Sequence, residues 1–136
     1  MKIFIVDDEG IVLESCRRVL ESEGYEVDSA DGVDAAIKAI DPKNTDLLLI
    51  DIKMPLHDGL YLINELKKQG KTVPAILMSG LNTPETIAEA QKTGACRFLA
   101  KPFTPDELLD AVHQVIPYVL DQEKCHGKEK STGNRR

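Results

Sequence analysis

The stretch DLLLIDIKMP, residues 46–55, decides how this chain folds. Four consecutive aliphatic residues, Leu47 to Ile50, are too short for a helix of their own and long enough for one strand covered on both faces. An antiparallel strand with one wet face would alternate apolar and polar; this one does not. The run ends on a carboxylate, Asp51, which is either the solvated tip of the strand or the centre of a site.

Working outward, strand and helix patterns alternate. KIFIV (residues 2–6) reads as a second buried strand, and Val12, Cys16, Val19 and Leu20 follow with helical spacing until Gly24. YEVDSA (25–30) alternates as a half-exposed strand. Val33, Ala36, Ile37 and Ile40 stripe a helix that stops before Pro42, and Leu62, Ile63 and Leu66 stripe another that Gly70 closes. VPAILMS (73–79) is a strand with Pro74 at its start, and residues 84–92 form a short helix with Pro at a first-turn position. CRFLA (96–100) is a short strand. The last helix starts near Pro105 with Asp106 and Glu107 in its first turn, buries Leu108, Leu109, Val112, Val115 and Ile116, and is expected to kink or end at Pro117.

Five strands alternating with five helices in about 120 residues imply an α/β fold, a doubly wound five-stranded parallel sheet. Residues 1–120 are read as one domain and residues 121–136 as a polar tail or linker, expected to be disordered. The domain carries 20 acidic against 12 basic side chains, a net −8, which argues against nucleic-acid binding by the domain itself. No apolar run approaches the ~20 residues of a membrane span, and no signal peptide opens the chain. Cys16, Cys96 and Cys125 are odd in number and form no CxxC pair, which favours reduced thiols and a cytoplasmic location.

In such sheets the site lies beyond the carboxyl ends of the strands. Those ends are Asp7-Asp8, Asp51, Ser79 and Lys101-Pro102. Any one of them alone is an ordinary turn or cap residue. With the strand order 2-1-3-4-5 they gather at one edge, and three neighbouring carboxylates would take up a proton unless a cation intervened. An all-oxygen cluster suits a hard divalent cation. Lys101 and the Ser79 hydroxyl could receive further negative oxygens around an attacking carboxylate, the parts of a phosphoryl-transfer site.

The motifs VDDE (6–9), DIKMPLHDGL (51–60), MSG (78–80) and KPF (101–103) together resemble a response-regulator receiver domain of two-component signalling, with a flavodoxin-like or CheY-like (βα)5 fold, over residues 2–120. The resemblance implies that Asp51 accepts a phosphoryl group from a phosphohistidine on a sensor histidine kinase or histidine phosphotransfer protein. It implies Mg2+ (or Mn2+) held by Asp7, Asp8, Asp51 and the backbone carbonyl of Lys53, with Ser79 and Lys101 contacting the phosphoryl group. Ser79 and Phe98 would be the switch pair, the Lys101-Pro102 peptide would be cis, and Gly59 would relieve crowding after the acceptor strand. The implied role is a signalling switch rather than an enzyme, acting through the face around the fourth helix, fifth strand and fifth helix on an output domain or target protein. No partner membrane is implied, and a phosphorylation-dependent homodimer stays open, although Arg97 stands where the winged-helix subgroup has an acid used in dimer pairing. Lys53 and Leu81 occupy positions that tune phosphoryl lifetime in the family; a cation and an aliphatic there would not orient an attacking water, so slow self-dephosphorylation is expected.

Two other readings share parts of this pattern. A haloacid-dehalogenase-type hydrolase wants a second carboxylate two residues after the nucleophile, where this chain has Lys53. A flavin carrier wants a Ser/Thr/Gly-rich loop after the first strand, where this chain has DDEGIV. His113 reads as a helix-boundary residue, His57 as a loop residue near the site, and Cys125-His126 lacks the further ligands of a zinc site.

Overall fold

The computed structural model describes residues 1–54 and 58–120, with side chains as far as Pro117. Among the described residues ten elements alternate: β1 (Lys2–Val6), α1 (Gly10–Ser22), β2 (Glu26–Ala30), α2 (Val33–Ala39), β3 (Leu47–Asp51), α3 (Gly59–Lys68), β4 (Ala75–Ser79), α4 (Pro84–Lys92), β5 (Arg97–Ala100) and α5 (Pro105–Leu120). All strand pairs are parallel, in the order β2-β1-β3-β4-β5. The doubly wound sheet expected from the sequence is therefore the observed one.

Alternation along the central strands divides the core into two layers, because successive side chains of a strand point to opposite faces. Ile3, Ile5, Leu47, Leu49, Ile76 and Met78 meet Cys16 and Leu20 of α1 and Leu108, Ala111, Val112 and Val115 of α5. Phe4, Val6, Leu48, Ile50 and Leu77 meet Val33 and Ala36 of α2, Leu62, Ile63 and Leu66 of α3, and Ala90 of α4. Every residue of β3 is buried. The unbroken apolar run of residues 47–50 is thus the signature of a strand with a helix layer on each side.

Local chemistry sets the helix ends. Asp58 caps α3 by accepting the Tyr61 N–H at 2.9 Å, and Thr83 caps α4 by accepting the Thr86 N–H at 3.2 Å. At α5, Thr104 and Glu107 bond reciprocally, Thr104 N–H to Glu107 Oε1 at 2.8 Å and Glu107 N–H to Thr104 Oγ1 at 3.1 Å, a capping box. Gly24, Gly70 and Gly94 follow α1, α3 and α4 with φ of 90°, 73° and 82°, the left-handed exit that glycine adopts without strain.

Of the two outcomes expected at Pro117, a kink or an end, the helix does not end there. Pro117 lies inside α5, which runs on to Leu120. A proline removes one backbone hydrogen bond, but the buried Val112 and Val115 fix the helix to the sheet just before it, and tertiary packing outweighs the local loss. His113 is exposed, as a boundary residue would be. His57 and the whole 121–136 segment lie outside the described residues. Cys16 is a buried free thiol.

Candidate functional site

The register brings the strand ends to one edge. Val6 pairs with Ile50, so the residues after β1 lie beside Asp51; Asp51 pairs with Met78, which places Ser79 one step beyond; and Ser79 pairs with Ala100, which brings Lys101 to the same rim. Asp7, Asp8 and Asp51 each offer a carboxylate oxygen, and these oxygens lie within 4.8 Å of one another. Asp7 is fully buried and Asp51 is 4% exposed, while Asp8 faces solvent. Lys101 Nζ stands among them, 2.7 Å from Asp7 Oδ2 and 3.5 Å from Asp51 Oδ2.

The electrostatics follow from that crowding. Burial, then the nearby charge of Asp7, pushes the Asp51 carboxyl up to about 6, against the opposing pull of Lys101 and of the Lys53 N–H that donates to Asp51 Oδ1 at 3.4 Å. Burial alone would lower the Lys101 ammonium, but its bond to Asp7 and the charges of Asp51 and Asp7 outweigh burial and raise it. One lysine therefore does not balance the carboxylates around it. The unbalanced group consists of oxygen donors only, which fits a hard divalent cation of the Mg2+ or Mn2+ kind rather than a soft metal.

Two backbone features hold Asp51 in place. Gly59 N–H donates to the Ile52 carbonyl at 2.9 Å, tying the first residue of α3 to the strand end. A Cβ at Gly59 would fall 2.4 Å from the Asp51 carbonyl oxygen and 2.7 Å from Ile50 Cγ2, so only glycine fits against the acceptor strand. The crowding expected at Gly59 is present. The Lys101-Pro102 peptide is cis, again as expected.

Ser79 is fully buried, and its Oγ accepts the Leu81 N–H at 2.9 Å, tying the hydroxyl to the loop after β4. Phe98 is half-buried against the layer that contains Ala90 of α4. Lys53 is exposed beside Asp51. One neighbour of the site went unassigned in the sequence: Glu9, whose Oε1 lies 3.3 Å from Lys101 Nζ. An acid at the start of a helix, where Ser, Thr, Asp or Asn would cap better, was the available signal.

Comparison with known proteins agrees with this geometry. Residues 3–113 match the model of the response regulator receiver domain. The chain is similar to sporulation initiation phosphotransferase F of Bacillus subtilis, 32% identical over 116 residues that make up 85% of this chain and 94% of that protein. It is also similar to the response regulator MprA of Mycobacterium avium, at 36% identity over 85% of this chain but 51% of the relative, and it spans only 27% of an NtrC transcriptional regulator from Proteus hauseri at 30% identity. Among solved structures, a CheY-like receiver domain protein from Methanospirillum hungatei superposes with a TM-score of 0.78 at 29% identity, covering 89% of this chain and 97% of that one. The TrrA response regulator of Thermotoga maritima, solved in complex with Mg2+ and BeF, gives 0.73 at 32% identity over 84% and 97%. The chain belongs to the response-regulator receiver domains of two-component signalling.

Proposed function

We propose that this domain is a phosphorylation-controlled switch whose phosphoryl acceptor is Asp51. The observation that carries the reading is the convergence of Asp7, Asp8, Asp51 and Lys101 from three strand ends around one nearly buried carboxylate. In the transfer, an Asp51 carboxylate oxygen forms a bond to phosphorus as the P–N bond of a partner's phosphohistidine breaks, and the electron pair leaves with the imidazole. Asp7, Asp8, Asp51 and the Lys53 carbonyl are the groups that would hold Mg2+ or Mn2+. A cation bound there neutralises charge on the transferring oxygens. Lys101 is close enough to shift from Asp7 to a new phosphoryl oxygen, and the Ser79 hydroxyl, whose oxygen accepts from Leu81, keeps an O–H to donate.

The donor is a sensor histidine kinase or a histidine phosphotransfer protein, and the output is a change in protein contacts through the α4-β5-α5 face, where Phe98 would report the state of Ser79. That output reaches a target protein or an attached output domain, in the cytoplasm, without turnover of an external substrate. Lys53 and Leu81 are both exposed at the rim, and a cation and an aliphatic there would not orient an attacking water, which supports a long-lived phosphoryl group. A half-life of seconds in the isolated protein would contradict that point.

The test is incubation with acetyl phosphate and Mg2+, followed by intact-mass measurement of wild type and Asp51→Asn. Wild type gains one phosphoryl group and the variant none. No gain in wild type, or equal gain in both, refutes Asp51 as the acceptor.

A further inference from the structure

Lys101 touches three carboxylates: Asp7 Oδ2 at 2.7 Å, Glu9 Oε1 at 3.3 Å and Asp51 Oδ2 at 3.5 Å. Asp7 and Asp51 belong to the trio of acids that could hold a cation; Glu9 does not. A lysine and a divalent cation bound at the trio would therefore compete for the same oxygens, and Glu9 is the one partner of Lys101 among the described residues that stands outside the contest.

Glu9 is also oddly placed for a purely structural role. It is the N-cap residue of α1, yet its side chain makes no capping bond, and it reaches across 92 positions of sequence to Lys101 instead. Its backbone does other work, donating N–H to Asp7 Oδ1 at 2.9 Å. With 63% of its side chain exposed, an ion pair from Glu9 adds little to folding stability. Its consequence lies in where it holds the ammonium.

We infer that Glu9 is a positioning residue for the cation site: as a third partner of the Lys101 ammonium it takes a share of that charge toward the start of α1 and weakens its hold on Asp7 and Asp51, easing the entry of a divalent cation. The inference rests on the proposed cation site. Without the Glu9 carboxylate, Lys101 settles wholly on Asp7 and Asp51 and becomes a stronger competitor. Glu9→Gln isolates the side chain, because the backbone N–H that bonds Asp7 is kept.

The experiment is a Mn2+ titration read by the electron paramagnetic resonance of free Mn2+, on wild type, Glu9→Gln, Lys101→Met and the double variant, at one pH and ionic strength. Glu9→Gln raises the Mn2+ Kd about fivefold in the wild-type background and less than about twofold in the Lys101→Met background, the non-additivity expected of two residues acting as a unit. Lys101→Gln replaces Lys101→Met should that variant lose its fold, and thermal melting checks that Glu9→Gln keeps its own. Equal weakening in both backgrounds makes Glu9 a remote charge and overturns the inference. An unchanged Kd, or a lower one, in Glu9→Gln overturns it too. If wild type itself binds no Mn2+, the cation reading falls and the inference with it; if wild type binds normally and the variant matches it, the inference alone falls.

Discussion

Where the strands begin, Lys2 Nζ lies 2.9 Å from Asp28 Oδ2, and the Lys2 backbone N–H donates to Asp46 Oδ2 at 2.8 Å. Where they finish, Lys101 is shared among Asp7, Glu9 and Asp51, with Asp8 close by. Both ends join neighbouring strands through a lysine and aspartates, but the surroundings differ. The Lys2 and Asp28 side chains are 29% and 59% exposed, so water already balances them and the pair serves mainly to fix register. Asp7 and Asp51 are withdrawn from water, and their charge is not matched by the one ammonium they share. An excess of buried negative charge lowers stability unless something binds to it. One end of the sheet is complete as it stands; the other gains from a ligand.

Four measurements test that contrast. The largest effect is expected from Gly59→Ala, which forces a methyl group to 2.4 Å from the Asp51 carbonyl oxygen. The loop or the strand end must shift, at a cost of about 3 kcal/mol read by urea denaturation, together with weakened Mn2+ binding. A near-neutral result would mean that the carboxyl end is not rigidly built. Next, Mg2+ at a hundredfold excess over its Kd should raise the unfolding free energy by about 2.7 kcal/mol in wild type, with most of the gain absent in Asp51→Asn. No gain in wild type would remove the case for unbalanced charge.

Third, Asp51→Asn should stabilise the cation-free protein. The folded carboxyl titrates at about 6 and the unfolded one at 3.8, so ionisation is harder in the folded state. The penalty is absent below pH 4, grows between pH 4 and 6, and is complete above pH 6. The asparagine advantage at pH 7 in EDTA is then on the order of 2 kcal/mol and vanishes below pH 4. A constant difference across that window would show that burial of Asp51, and not its charge, is what matters. Last and smallest, Lys2→Met should leave the melting midpoint within the error of measurement at 0.15 M salt; a large drop would mean the two ends are more alike than their exposure suggests.

The fold was legible in the sequence because the evidence for it is periodic. The run of residues 47–50 demanded cover on both faces, and the two core layers supply it. The glycine exits and the residue range of α4 also followed from local rules, which act over a few residues and are set down in order along the chain. An end at Pro117 did not follow, since a local rule met a tertiary force: the packed face of α5 carries the helix past it. The site was legible to the extent that its members terminate strands, as Asp7, Asp8, Asp51 and Ser79 do. Glu9 was not, because its partner lies 92 positions away and only the closed sheet brings them together. Its identity was visible in VDDE; its reach was not.

The two-layered core around β3 has a mechanical consequence. Leu47 and Leu49 are held by one helix layer, Leu48 and Ile50 by the other, and interiors packed at this density resist displacement. Charge that the proposed phosphoryl transfer would add to Asp51 would therefore meet a support that does not yield. Strain delivered there has to leave sideways, through attachments made of single bonds, of which the Leu81 N–H to Ser79 Oγ contact is one. The loop beyond it carries Leu81 with 46% of its surface in water, and its displacement disturbs few packed neighbours. Stiffness in the middle of the sheet thus gives direction to any movement at its rim.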